Sequence, residues 1–183
     1  MVKRVLVPLA AGCEELEAVT IIDLLRRAQI DVVVAGLSGI EPVKASRGVV
    51  LVPDVALDDV LHQYFDLVVL PGGLLGAQLL RDDARIISLL QRVYEQGAMV
   101  SAICAAPMVL LEAGLLAGKT VTAYPGVLDA VNGDYIYTGS VVEQHERVLT
   151  SRGPGTAMTF ALTLIESLSG LDERKVVEAE LVR

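Results

Sequence analysis

The sequence predicts a single α/β domain spanning residues 1–183, a three-layer sandwich in which helices cover both faces of a mostly parallel central sheet. Three observations carry this. Short runs rich in Val, Ile, Leu and Ala alternate along the chain with longer stretches of helical apolar spacing. Hydrophobic residues make up 53 % of the chain while aromatics reach only 4 % and Trp is absent, so the interior must be built from aliphatic side chains, as in strands buried on both faces. Gly and Pro residues fall mostly at the ends of these segments, and 183 residues suffice for one core without disulfides or metals.

Taken in order, Arg4–Ala10 is an apolar run ending in small residues, and Glu14–Arg27 follows with helical spacing. Asp31–Gly36 is a second apolar run that completes a right-handed βαβ unit. Pro42–Pro53 alternates less regularly around Ser46, Arg47 and Gly48, which predicts a short hairpin at an edge, closed by Pro53. Asp66–Leu70 is a buried strand stopped by Pro71, Gly72 and Gly73. Asp83–Gln96 repeats the helical pattern through Ile86, Leu89, Leu90 and Val93, and Gly97 ends it. Met99–Ile103 is the next strand, and Pro107 suits the first turn of a helix over Met108–Ala113. Further strands are expected at Thr120–Ala123, Tyr135–Tyr137, Val141–Glu143 and Val148–Ser151, before a last long helix over Thr156–Leu168.

Charge narrows the function classes. A formal charge of −8 and a pI near 4.7 argue against a surface that tracks nucleic-acid phosphates. No apolar stretch approaches a bilayer span, and the run within Met1–Ala11 is too short for a signal h-region, so a cytoplasmic protein is expected. Cys13 and Cys104 form neither a C-x-x-C pair nor a cluster of metal-ligand spacing, and a reducing compartment keeps both as thiols. His62 and His145 are isolated and are assigned to the surface. No metal and no cofactor is implied.

The element pattern is flavodoxin-like, and in such sheets ligands sit beyond the carboxyl ends of the strands. Three loops belong there: Ala11–Glu14, Pro71–Gly76 and Cys104–Pro107. Cys104 lies between a strand and a helix among Ala102, Ala105 and Ala106. A sharp turn of that kind needs small neighbours, projects its middle side chain toward solvent and aims N–H groups at it, which favours the thiolate. The bland alternative is a small buried hydrophobe at a strand end. A peptidase built on a related elbow would show His directly after the cysteine, where this chain has Ala105.

Acids supply the partner. On a helical wheel Glu17 falls between Ile21 and Leu24 inside the apolar arc, Glu15 lies toward Arg26 and solvent, and Glu14 faces inward at the helix start. A buried carboxyl is held protonated by desolvation and can donate to sulfur or shuttle a proton. The alternative is three acids placed for the helix dipole. Pro71-Gly72-Gly73 permits a close N–H approach, half of an oxyanion hole, whereas the G-G-x-x-G spacing of Gly72–Gly76 does not fit a dinucleotide site.

The segments Gly12-Cys13-Glu14-Glu15-Leu16-Glu17, Leu70-Pro71-Gly72-Gly73, Ala102-Ile103-Cys104-Ala105-Ala106-Pro107 and Thr150-Ser151-Arg152-Gly153-Pro154-Gly155-Thr156 converge on one family. Over about Arg4–Leu168 the chain resembles the DJ-one/ThiJ/PfpI superfamily. That resemblance implies a flavodoxin-like sandwich, a homodimer and an oxidation-prone nucleophilic cysteine, which maps onto Cys104. By the same resemblance Glu17 is the acid bonded to the cysteine, Gly73 and Ala105 are the backbone donors near its sulfur, and Arg47 lies near the dimer seam and the substrate. The family is associated with glyoxalase activity on methylglyoxal and glyoxal, with deglycation of adducts, and with protection from oxidative stress. Two departures from its pattern matter. Tyr124 stands where a pocket histidine is often found, and Ala45 and Val52 replace accessory cysteines of some relatives.

The expectation is therefore conversion of a small 2-oxoaldehyde, or reversal of an early glycated adduct, with Cys104 as nucleophile, Glu17 moving protons, Gly73 and Ala105 as oxyanion donors, and Arg47 and Tyr124 contacting substrate. The rival is a redox-sensing or chaperone-like protein in which Cys104 oxidation itself is the function.

Overall fold

A computed structural model describes residues 2–182. Strand β1 (Arg4–Leu9), helix α1 (Glu15–Arg27) and strand β2 (Asp31–Gly36) form the first parallel unit. The hairpin β3 (Val43–Lys44) and β4 (Val50–Leu51) is antiparallel, and β5 (Val55–Ala56) follows Pro53. Next come β6 (Leu67–Leu70), α2 (Leu74–Asp82), α3 (Ala84–Glu95), β7 (Met99–Ile103) and α4 (Pro107–Glu112). The chain ends through β8 (Lys119–Val121), β9 (Tyr135–Tyr137), β10 (Val142–His145), β11 (Val148–Ser151), α5 (Ala157–Ser169) and α6 (Leu171–Glu180).

Seven strands make the central sheet in the order β10-β11-β7-β6-β1-β2-β5, parallel except for β10. Strand β6 and all but the first residue of β1 and of β7 are buried, as continuous apolar runs must be when helices cover both faces. Helices α1, α5 and α6 pack together, and α2, α3 and α4 form the other group. Phe65, Leu6, Leu70, Leu90 and Phe160 are among the largest side chains fully buried between these layers. Each such side chain contributes roughly 1.5–3 kcal/mol through burial. The mostly parallel α/β sandwich expected from the sequence is the fold observed.

Several elements differ from expectation. The Pro42–Pro53 hairpin is a two-stranded sheet of its own, and the edge of the main sheet is β5 beside β2. Helix α2 occupies residues expected to be partly loop, and α6 extends beyond the helix expected to be last. Strands β8 and β9 pair in parallel, apart from the main sheet. His62 is exposed, as assigned, whereas His145 is half-buried and its Nδ1 accepts the Thr120 N–H at 3.1 Å. Among the described residues no helix is long and apolar enough to cross a membrane.

The chain runs from β1 to β2 in one direction across the sheet and from β6 to β7 in the other, so the switch point lies between β1 and β6. Loops leaving the carboxyl ends of β1, β6 and β7 meet there, where such folds open a crevice.

Candidate active site

Backbone hydrogen bonds tie these loops together. Glu14 N donates to Gly72 O at 2.9 Å, joining the loop after β1 to the loop after β6. Gly12 N donates to Lys44 O and Ser46 N to Cys13 O, both at 2.8 Å, which fastens the β3–β4 hairpin to the same place. Gly73 has φ +85, and a Cβ on it would lie 2.6 Å from Glu14 N, so both its conformation and its contact require glycine.

Glu17 sits in the first turn of α1 with no exposed surface. Its Oε2 accepts the Gly72 N–H at 2.8 Å, while Oε1 is buried with no hydrogen-bond partner. Burial pushes the carboxyl up to about 7, against the Gly72 N–H that favours the anion. A buried carboxyl oxygen without a partner is costly unless it carries a proton or meets a group that arrives later.

Cys104 follows β7 with φ +64, left-handed backbone that a residue with a Cβ adopts at a cost of roughly 1–3 kcal/mol. Both peptide groups are held: Cys104 N donates to Ser151 O at 3.0 Å and Tyr124 N donates to Cys104 O at 2.8 Å. The thiol is buried, with 8 % of the residue exposed. Burial first and the Glu17 carboxylate second push it up to about 12, while the N–H groups of Gly73 and Ala105 pull it down. The sequence led to a solvent-directed side chain; the structure buries most of it. Desolvation and the adjacent carboxylate oppose ionisation of the sulfur, and the two N–H donors favour it.

The sulfur faces a cleft of about 850 Å³ whose wall includes Gly73, Ala105, Arg47 and Tyr124. Glu17 is not part of that wall. It lies behind Cys104, with Gly72 between them: a Cβ on Gly72 would be 2.6 Å from Glu17 Oε2 and 2.6 Å from Cys104 Cβ. The structure therefore brings Cys104, Glu17, Gly73 and Ala105 into one cluster and places Arg47 and Tyr124 at its open side. Tyr124 is half-exposed, and its ring lies close to Gly153, where a Cβ would come within 3.2 Å of it.

Glu15 departs from its expected solvent-side position. It is buried under the hairpin, accepting Arg47 N at 2.8 Å and Ser46 Oγ at 2.9 Å. Desolvation opposes its ionisation, yet its own N–H, that of Arg47 and the Ser46 hydroxyl hold its carboxyl below the ordinary range. Glu14 borders the cleft and accepts from Ser46 Oγ at 2.8 Å. Sequence reasoning missed Gly72 as the donor to Glu17, Lys44 as a cleft residue, and the Ser151 and Tyr124 groups that pin Cys104. Only Gly72 carried a signal, its place in Pro71-Gly72-Gly73. Among the described residues no cluster of His, Cys, Asp or Glu is arranged to hold a metal ion.

A flavodoxin-like sheet with a strained cysteine at its switch point and a buried carboxyl behind it defines a class of α/β proteins organised around one thiol. The comparisons with known proteins agree on which. The chain belongs to the DJ-1/PfpI family, whose model matches residues 3–167. It is 46 % identical over 183 residues to the Parkinson disease protein 7 homolog of Danio rerio, covering 98 % of this chain and 97 % of that one. The crystal structure of Drosophila melanogaster DJ-1beta matches with a TM-score of 0.96 and 43 % identity, covering 100 % of this chain and 98 % of that chain. A Caenorhabditis elegans protein named glutathione-independent glyoxalase DJR-1.2 is 41 % identical over 157 residues, 86 % of this chain and 83 % of its own length.

Proposed function

We propose that this protein is a cysteine-dependent glyoxalase that converts small 2-oxoaldehydes to 2-hydroxy acids without a cofactor. The observation that carries this reading is the buried Glu17 carboxyl, with one unpartnered oxygen, set against Cys104 at the base of an open cleft. The name of the Caenorhabditis elegans relative supports the same reaction class.

Cys104 Sγ attacks the aldehyde carbon, and Glu17 accepts the thiol proton as the C–S bond forms. A carboxyl brought to about 7 is near the pH at which it both accepts and returns a proton efficiently. The carbonyl oxygen gains the electron pair and takes a proton, giving a thiohemiacetal, with the Gly73 and Ala105 N–H groups stabilising the developing charge. The proton on the former aldehyde carbon then moves by way of Glu17 to the adjacent carbon through an enediol, leaving a thioester of the 2-hydroxy acid. Water cleaves the C–S bond, the acid departs and the sulfur regains its proton. Bonds, electrons and protons balance with one water consumed. Tyr124 and Arg47 contact the substrate from the cleft wall, and early glycated adducts enter by the same thiol addition.

Metal-free, reduced protein should convert methylglyoxal to lactate, identified by NMR, and Cys104→Ser should abolish the conversion. Absence of lactate from wild-type protein overturns the proposal. A second reading, redox sensing, draws on the same observation: the groups around the sulfur, two N–H donors and a protonatable carboxyl, suit an oxidised sulfinate. We also infer a homodimer seated on the exposed Leu16 and Val19 of α1 and Val49, Val50 and Val52 of the hairpin region, testable by sedimentation.

A further inference from the structure

We propose that the cleft beside Cys104 selects carbonyl substrates carrying a carboxylate or phosphate group, bound by Lys44 and Arg47. This rests on the glyoxalase reading for the carbonyl end and on separate observations for the anionic end. The first is size. A three-carbon aldehyde occupies on the order of 100 Å³, about three waters' share of liquid volume, and leaves most of a cleft of about 850 Å³ unfilled.

The second observation is charge. The chain has a formal charge of −8, yet the charged residues that line this cleft are Lys44, Arg47 and Glu14, a local excess of one positive charge. Most of the chain's arginines are tied to carboxylates: Arg4 to Asp31, Arg26 to Asp54, Arg27 to Asp23, Arg81 to Asp82, Arg85 to Asp58 and Asp83, and Arg174 to Glu166. Among the described residues neither Lys44 nor Arg47 has a carboxylate partner. The reason lies in the hairpin. Glu15 accepts the Arg47 and Val49 N–H groups, and the Ser46 hydroxyl is shared between Glu15 and Glu14, so both acids at the turn are held by neutral donors and neither pairs with its cations.

The third is placement. Gly12 N binds Lys44 O in the loop that also abuts Gly73, so Lys44 is fixed on the same backbone frame as one of the donors at the sulfur. Arg47 stands three residues further around the hairpin, on the same cleft wall as Cys104. A substrate whose carbonyl reaches Cys104 thus shares the cleft with two cationic residues that no carboxylate pairs, one of them carrying a planar guanidinium suited to carboxylate or phosphate oxygens.

Two measurements test this. The first uses no turnover: Cys104 is alkylated with neutral iodoacetamide and with anionic iodoacetate, Sγ displacing iodide in each case. The iodoacetate-to-iodoacetamide rate ratio is compared with that of a free uncharged cysteine peptide. The ratio should exceed the peptide's, fall in Lys44→Met/Arg47→Met, and be retained in Lys44→Arg/Arg47→Lys. A ratio at or below the peptide's, or one unchanged in the double Met variant, overturns the proposal. The second compares kcat/KM for hydroxypyruvaldehyde and its phosphate ester, with the ester expected to be preferred about tenfold or more through charge-assisted hydrogen bonds. Equal values overturn the proposal. If neither aldehyde reacts, the glyoxalase reading falls and the alkylation ratio alone decides the anion site.

Discussion

The Gly72 N–H holds Glu17 Oε2 at 2.8 Å, and the missing side chain of that glycine is what lets the carboxyl and Cys104 stand back to back. Gly72→Ala would place a methyl 2.6 Å from both Glu17 Oε2 and Cys104 Cβ. Overpacking of this kind costs about 1–3 kcal/mol, measurable by urea unfolding. Methylglyoxal turnover should fall by at least about tenfold, because the proton relay lengthens. Full turnover in a destabilised Gly72→Ala protein would show that the Glu17–Cys104 spacing is not part of the chemistry.

Glu17→Gln should move two properties of Cys104 in opposite directions. Removing the carboxylate removes its repulsion of the thiolate, and the amide N–H can donate to sulfur, so the thiol pKa falls and iodoacetamide alkylation near pH 8 speeds up. Aldehyde turnover should nevertheless drop roughly 10²- to 10⁴-fold, because an amide cannot carry the proton. Faster alkylation together with undiminished turnover would exclude Glu17 as the proton carrier.

The same carboxyl should leave a signature in stability. Desolvation raises Glu17 from 4.5 to about 7 in the folded protein, so between those values the native state holds a proton that the unfolded chain has released. Its contribution is fully present below about pH 4.5 and is lost as pH rises through about 7, on the order of 3 kcal/mol. Chemical denaturation at pH 5 and pH 8 should show wild type losing more stability across this interval than Glu17→Gln. Parallel losses in the two proteins would contradict the raised carboxyl.

Mild peroxide should modify Cys104 before Cys13. Burial raises both thiols, Cys104 no less than Cys13, so access decides the order: Cys13 is 1 % exposed and lies outside the cleft, whereas Cys104 opens onto it. Peptide mass spectrometry should find sulfenate or sulfinate on Cys104, with iodoacetamide protection confirming the site. Oxidation that begins at Cys13 would remove the basis for a sensor role.

Much of this frame was legible because parallel strands buried on both faces spell continuous aliphatic runs, as in Val5–Leu9 and Val68–Leu70. Glu17 could be placed because the wheel of α1 alone puts it between Ile21 and Leu24. Glu15 could not, since the hairpin that covers it comes from residues some thirty positions away. Helix α2 was obscured by its exposed Leu74, Leu75 and Leu79, which blur the period, and α6 by its polarity, with Val177 its one buried residue. The burial of Cys104 was not legible for a different reason. A strand-to-helix turn announces N–H donors, but the desolvation that opposes them depends on how tightly Gly72 and Glu17 close behind the sulfur.

The bonds from Gly12 N to Lys44 O, Ser46 N to Cys13 O and Glu14 N to Gly72 O turn three separate loops into one lever. Its outer arm is the hairpin, with Val49 and Val50 facing outward, and its inner arm ends at the Gly73 N–H beside the sulfur. A body that leans on the hairpin therefore bears on main chain that is hydrogen-bonded, by way of Gly12, Cys13 and Glu14, to the loop carrying the Gly73 N–H.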